Sequence, residues 1–245
     1  MRELAFSGDK VTPELLRSLE EDAALEKLVI WGGGLTTGDL EPLSRLTQLK
    51  SLVLGEMRVD DGVFAWLQPL RRLECLNLAY TAVRGEFSVL AGLPLRDIRL
   101  EGCRLVGDSC AMSLTAFPTL RQLEIHMTGV TDAGVETLTG LPLEVLWLGP
   151  RITDTALNSI GQMASMQHLD LCAHMVTDEG VPALAGLGNL EVLWLSRCGI
   201  SDESVQVLAG MQSLRELNVS HTGVSAAALQ RLREALPDCR LVEPD

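Results

Sequence analysis

Asp97, Glu124 and Asp170 are the carboxylates placed where acid–base work could be sought, and Cys172 follows His168 by four residues, a spacing that suggests a thiol nucleophile beside an imidazole base. Neither arrangement is convincing. General acid–base catalysis needs two carboxylates across a cavity, whereas these three recur along the chain on equivalent segments of an open surface. Ser7, Ser196 and Ser220 have no matching His and Asp partners. His126, His168, His174 and His221 lack the close spacing of zinc ligands, and the six cysteines, Cys75, Cys103, Cys110, Cys172, Cys198 and Cys239, contain no CxxC pair. Gly32 to Gly34 follow Trp31, but without the remaining glycine pattern and lysine of a phosphate loop they suit a wide turn or bulge. The expectation is therefore no catalytic residue, no metal and no cofactor.

Whole-chain properties narrow the partners. The 245 residues are 47% hydrophobic and 22% charged, which excludes wholesale disorder. A formal charge of -13 repels nucleic acid and anionic membrane surfaces alike. No stretch approaches the roughly 18 uninterrupted apolar residues of a membrane helix. Scattered cysteines without a disulfide framework suit a reducing, cytoplasmic location.

The elements that position these residues are repeats. The pattern L-x-x-L-x-L recurs as LEKLVI from Leu25, LKSLVL from Leu49, LECLNL from Leu73, LRDIRL from Leu95, LRQLEI from Leu120, LEVLWL from Leu143, MQHLDL from Met166, LEVLWL from Leu190 and LRELNV from Leu214. A weaker copy, MRELAF, begins at Met1, and successive starts lie 22 to 25 residues apart. Most units then place Val, Leu or Ile about ten residues after the start, followed by a capping sequence: VTPELL at Val11, VTDAGV at Val130, ITDTAL at Ile152, VTDEGV at Val176, ISDESV at Ile200 and VSAAAL at Val224. A Thr or Ser hydroxyl accepts from exposed helix amides, and the acidic residue after it suits the positive helix end. Pro13 after Thr12 fits the first helical position. Each unit is thus a short strand, a turn and a short helix or helical turn, each with a single apolar side that only a neighbouring unit can bury.

This pattern resembles the leucine-rich repeat family, nearest its cysteine-containing, ribonuclease-inhibitor-like branch and the short bacterial repeats carrying a TDxG segment. The resemblance spans essentially the whole chain. It implies an α/β leucine-rich repeat solenoid, a curved horseshoe with a parallel sheet on the concave face and short helices or helical turns on the convex face. Residues 1–245 are expected to form one domain of about ten repeats, closed by the strand in RLVEP. The family's polar or cysteine position after the strand corresponds to Thr81, Cys103, Thr128, Cys198 and Thr222; Gly33, Met57 and Arg151 depart from it, and His174 is unusual. The resemblance also points to protein recognition, on a scaffold whose members bind unrelated partners.

Strand alternation selects the surface. With motif positions one, four and six buried, positions three, five and seven are expected to face the concave solvent. That column arithmetic puts Val145, Trp147, His168, Asp170, Val192 and Trp194 on one patch, with Gly149, Cys172 and Ser196 in the seventh column and Arg197, Glu216 and His221 at the rim. Neither tryptophan is needed by the leucine core, and Asp170 falls between them. Exposed aromatics are typical interface anchors. The expected partner-binding residues are Val145, Trp147, His168, Asp170, Val192, Trp194 and Arg197, and the expected partner is a neutral or basic protein or peptide. The alternative is a structural segment or scaffold of a larger protein or assembly, its tryptophans packing strand to strand. Asp97, Arg99, Glu101 and Glu124 make a charged band, read as a satisfied surface network that could also steer a partner. The first strand motif begins without a polar cap, so weak self-association through the N-terminal end is a further expectation.

Overall fold

A strand forms wherever the motif sets an aliphatic residue between two side chains the core does not use. In the computed structural model the described residues are 2–19, 24–171 and 175–242. Their strands are β1 (Arg2–Ser7), β2 (Leu25–Trp31), β3 (Ser51–Gly55), β4 (Cys75–Asn77), β5 (Asp97–Arg99), β6 (Gln122–Glu124), β7 (Val145–Trp147), β8 (His168–Asp170), β9 (Val192–Trp194), β10 (Glu216–Asn218) and β11 (Arg240–Val242). Two compact units divide them, Met1–Thr128 with β1 to β6 and Gly129–Asp245 with β7 to β11. Within each unit the strands pair in parallel and in chain order. The closing strand is β11; Glu243 and Pro244 of the RLVEP segment lie outside the described residues.

The register stacks like on like. Leu28, Leu52, Leu76, Ile98 and Leu123 are aligned partners in the first unit, and Leu146, Leu169, Leu193, Leu217 and Leu241 in the second. Nearly all are fully buried, as are the leucines at motif positions one and six. Each such side chain contributes about 1.5–3 kcal/mol relative to an exposed one. Burial of one repeat depends on the next: in β1 the core-facing Leu4 and Phe6 are only half-buried, whereas their counterparts Leu28 and Ile30 in β2 are completely so.

Position seven departs from the expected alternation. Gly55, Ala79 and Gly149 are buried rather than facing solvent, and Ser196 is half-buried; Cys172 and His174 lie outside the described residues. Alternation holds only while the backbone is extended, and here the chain is already leaving the strand. The next residue adopts a left-handed φ in Glu56 (53°), Tyr80 (58°), Met127 (55°), Arg197 (62°) and His221 (56°). The Trp31 ring lies against Gly55 so closely that an added Cβ would fall 2.3 Å from it. Gly32 and Gly33, at φ 74° and 101°, form the wide turn expected of that glycine run.

Opposite the strands lie short helices, α1 (Pro13–Leu19), α2 (Val63–Leu67), α3 (Asp108–Leu114), α4 (Asp132–Thr137), α5 (Asp154–Ile160), α6 (Val205–Gly210) and α7 (Ala226–Ala235). Thr12 caps α1 as expected, its Oγ1 accepting from the Leu15 amide at 3.2 Å. Other units use 3-10 turns, at Thr37–Arg45, Phe87–Leu90 and Val181–Gly186. In VTDEGV the helical turn begins only at Val181, after the acidic residue rather than beside it.

Whether or not it opens a helix, the acidic residue serves the neighbouring repeat. Asp132 accepts from the Thr153 amide (2.9 Å) and hydroxyl (2.6 Å), Asp154 from those of Thr177 (2.8 and 2.6 Å), Asp178 from those of Ser201 (2.9 and 2.7 Å), and Asp202 from those of Ser225 (2.7 and 2.7 Å). Each carboxylate ties its own turn to the capping hydroxyl one repeat on. Cysteines make a second tie: Cys103 Sγ donates to the Leu78 carbonyl at 3.0 Å and Cys198 Sγ to that of Leu171 at 2.8 Å. Thr81, Thr128 and Thr222 instead donate to carbonyls three residues back, at 2.6–2.7 Å. At the departures, Met57 fills the position as a buried apolar group and Arg151 points to solvent.

The ladder sets a pH dependence. Burial alone raises the Asp178 carboxyl, but hydrogen bonds from Ser201 and Ser204 outweigh it and hold the group below its ordinary value; the Ser225 amide and hydroxyl do the same for Asp202. A carboxyl with a folded pKa below its unfolded one stabilises the fold fully above the unfolded value, and that stabilisation is lost as pH falls through the folded one. The urea midpoint is therefore expected to drop as pH is lowered below about 4. In the double variant Asp178→Asn with Asp202→Asn, the drop should be shallower; an unchanged slope would show that the ladder does not govern acid sensitivity.

Candidate functional site

The tryptophan patch lies wholly within Gly129–Asp245. Parallel pairing puts Val145, His168 and Val192 opposite one another on β7, β8 and β9, and Trp147, Asp170 and Trp194 likewise. Leu146, Leu169 and Leu193, which alternate with them, are fully buried on the other face. The six sheet residues of the expected site are thus brought onto one surface by three strands, all half-buried.

The backbone register and the side chains give different centres. Asp170 is the residue opposite both tryptophans, yet the ring between them belongs to His168. Its centroid lies 5.8 Å from that of Trp147 and 5.6 Å from that of Trp194, tilted by 47° and 60°. Such separations are those of attractive, non-sandwich ring contacts. The tryptophans are consequently half-buried rather than standing free. Burial pushes the His168 imidazole below its ordinary pKa, against the opposing pull of Asp170 and Glu216. Neutral His168 completes an apolar platform of three rings, with the Asp170 carboxylate beside it.

One end of the platform is fixed by a polar relay absent from the sequence reading. Trp194 Nε1 donates to Glu216 Oε1 at 2.8 Å, and Arg240 Nη1 lies 3.2 Å from Glu216 Oε2. Glu216 and Arg240 occupy equivalent third positions on β10 and β11. The indole is held in one orientation before any partner arrives. Arg197 is placed differently from the other expected contacts: it follows β9 in the left-handed turn, exposed, and forms no ion pair among the described residues. The same holds for His221 at the equivalent turn.

The charged band lies in Met1–Thr128 and is a network. Arg99 donates Nε and Nη2 to the two Asp97 oxygens at 3.1 and 2.9 Å and stands 3.9 Å from Glu124. His126, unnoticed in that band, places Nε2 3.0 Å from Glu101 and Nδ1 3.5 Å from Glu124, and the Tyr80 hydroxyl donates to Glu101. Ligand-type atoms of Glu101, Glu124 and His126 lie within 4.8 Å of one another. Both imidazole nitrogens are turned toward carboxylates. Burial raises the Glu124 carboxyl, with His126 and Arg99 pulling it down.

Comparison with known proteins agrees with this architecture. The family profile described as Leucine Rich repeat matches residues 189–209, the repeat that carries Trp194. An internalin, InlF, from Listeria monocytogenes is similar at 19% identity and TM-score 0.62, over 99% of this chain and 82% of that one. Rad7, in the yeast Rad7 and Elc1 complex, is similar at 18% identity and TM-score 0.64, over 98% of this chain and 74% of that one. The Arabidopsis receptor kinase HAESA, solved with the peptide hormone IDA and the co-receptor SERK1, gives 20% identity and TM-score 0.60, over 85% of this chain and 36% of that one. The fold is the leucine-rich repeat solenoid, with a parallel sheet on one side and short helices and turns on the other.

Proposed function

We propose that this chain is a noncatalytic protein-interaction module that receives a neutral or basic protein or peptide on the sheet face of Gly129–Asp245. Val145, Trp147, His168, Asp170, Val192 and Trp194 form the contact surface, and Arg197 touches the partner from the rim. The observation that carries this reading is the Trp147–His168–Trp194 ring row, which serves no leucine-core position and is partly pre-oriented through Glu216. Rigid aromatic area binds at low entropic cost. Asp170 accepts a charge-assisted hydrogen bond from an Arg or Lys of the partner. Composition supports a basic partner, since Gly129–Asp245 contains no lysine and six arginines against fifteen acidic residues; the field mainly speeds encounter and suppresses wrong partners. Peptide capture by HAESA, on the same fold, is consistent with the mode.

The half-burial of both tryptophans favours the second reading, a scaffold segment in which the rings stiffen the sheet. Co-purification with intact protein and with Trp147→Ala and Trp194→Ala separates the two. Loss of a specific partner from correctly folded variants supports recognition, and retention supports the scaffold.

The finer expectations join this proposal. Hydrogen bonding of Cys103 and Cys198 to neighbouring-repeat carbonyls supports the ribonuclease-inhibitor-like branch, and the aspartate ladder supports its TDxG variant. A reducing, cytoplasmic setting is supported by the buried thiols, including Cys110, whose pKa burial pushes up to about 12; no helix among the described residues is long and apolar enough to cross a membrane. Weak self-association through β1 is supported by its half-buried Leu4 and Phe6. Analytical ultracentrifugation is expected to show a concentration-dependent rise in mass that Phe6→Glu abolishes; a monomer at every concentration removes this element.

A further inference from the structure

Between Lys27 and Arg99 the sheet face of Met1–Thr128 is hollow. Third positions of β2 to β5 run Lys27, Ser51, Cys75 and Asp97 in register, and fifth positions run Val29, Val53, Asn77 and Arg99. The short side chains of β3 and β4, set between a long lysine and a long arginine, leave a cavity of about 180 Å³ over Leu52 and Leu76. That is below the 300–1,000 Å³ of pockets for drug-sized ligands and suits one side chain.

The polar groups around it are one-sided. Lys27 faces Glu3 at 2.9 Å and keeps further ammonium protons. Asn77 Oδ1 accepts from the Ala79 amide at 2.8 Å, which fixes the side chain and leaves its Nδ2 donors, while the Ser51 hydroxyl makes no hydrogen bond among the described residues. Arg99 binds Asp97 through Nε and Nη2 and retains other N–H groups. Asp97, the one carboxylate in the lining, has both oxygens held by that arginine. Burial, helped by the Asp97 and Glu74 charges, pushes the Cys75 thiol up, so no second anion forms there. Donors with unused capacity converge on the lining, whose two cations are also approached from outside it by Glu3, 2.9 Å from Lys27, and Glu124, 3.9 Å from Arg99.

We propose that this hollow binds a single carboxylate, presented by a Glu or Asp side chain of a peptide and held by Lys27, Ser51, Asn77 and Arg99. A lysine or arginine side chain would bring donors to a hollow whose unused groups are themselves donors, and an amide would forgo the charge-assisted hydrogen bonds that a carboxylate makes. The site shares no residue with the tryptophan platform, so either can fail alone.

The test is a titration of the full-length protein, followed by backbone and side-chain amide NMR signals, with three probes: N-acetylglutamate N-methylamide, its glutamine analogue and inorganic phosphate. Saturable shifts at Ser51, Cys75 and Asn77 are expected with the glutamate probe, with binding about tenfold weaker for the glutamine analogue and weakened several-fold by high salt. Lys27→Gln and Ser51→Ala, half-exposed positions that leave the core intact, should each weaken the glutamate probe by about three- to tenfold. Equal response to glutamine, no saturable shift, insensitivity to both variants, or phosphate binding without glutamate binding overturns the proposal. Spectra unchanged outside the hollow certify that the variants are folded, and either one suffices for the decision.

Discussion

Trp194→Ala is expected to weaken partner binding by about 1 to 4 kcal/mol, the range of a central aromatic anchor, while leaving the repeats folded. The indole rests on His168 on one side and donates to Glu216 on the other, so truncation removes both an apolar face and the end of a pre-oriented row. Trp147→Ala should fall in the same range, through its contact with His168. The two losses should not add, because both rings are coupled through one imidazole. Glu216→Gln gives a finer check: it keeps an acceptor for the indole but weakens the Arg240 pair, and should cost less than either truncation. Calorimetry or surface plasmon resonance against a co-purified partner reads these differences. Unchanged affinity in folded Trp147→Ala and Trp194→Ala proteins removes the platform from the account and favours the scaffold reading.

Asp178→Ala should lower stability by about 2 to 4 kcal/mol, more than an ordinary surface substitution. Asp178 accepts from the amides and hydroxyls of both Ser201 and Ser204, and Ser204 is 1% exposed, so water cannot replace every lost partner. The neighbouring exposed Glu179→Ala is the control and should stay within about 0.5 kcal/mol. Urea denaturation followed by circular dichroism gives the magnitude. Hydrogen exchange gives the place: the Ser201 and Ser204 amides should lose protection before those of distant repeats, since stability in a stacked array is carried by nearest-neighbour interfaces. Equal costs for the two variants would mean that the carboxylate is a solvated cap and nothing more.

Much of the architecture was legible because it is periodic. The leucines at positions one, four and six, Pro13 at the start of α1, and the placing of a hydroxyl at each capping position are all marked within one repeat, and local rules reach that far. The facing of Val145, Trp147, His168, Asp170, Val192 and Trp194 followed from alternation on their short strands. Burial at Gly55, Ala79 and Gly149 did not, because a left-handed turn ends the alternation at a residue no two-residue period marks. The role of the recurring aspartates was half visible. Their recurrence could be counted, and a carboxylate placed one residue after each hydroxyl at the repeat interval was the available signal. That it reaches forward to the next repeat depends on the stacking distance.

The sequence by itself determined the repeat, the strand register, the core faces and the side of the sheet on which the tryptophans stand, since each follows from spacing along one chain and from the need of one-sided elements to be covered. Only the tertiary structure decided what those side chains meet. His168 rather than Asp170 fills the space between the two indoles, Glu216 locks one of them, His126 closes the charged band, and the short residues of β3 and β4 leave a donor-lined hollow between Lys27 and Arg99. These are contacts between residues a full repeat or more apart, and they depend on ring tilt, side-chain length and hydrogen-bond direction across strands, quantities that a one-dimensional period does not contain.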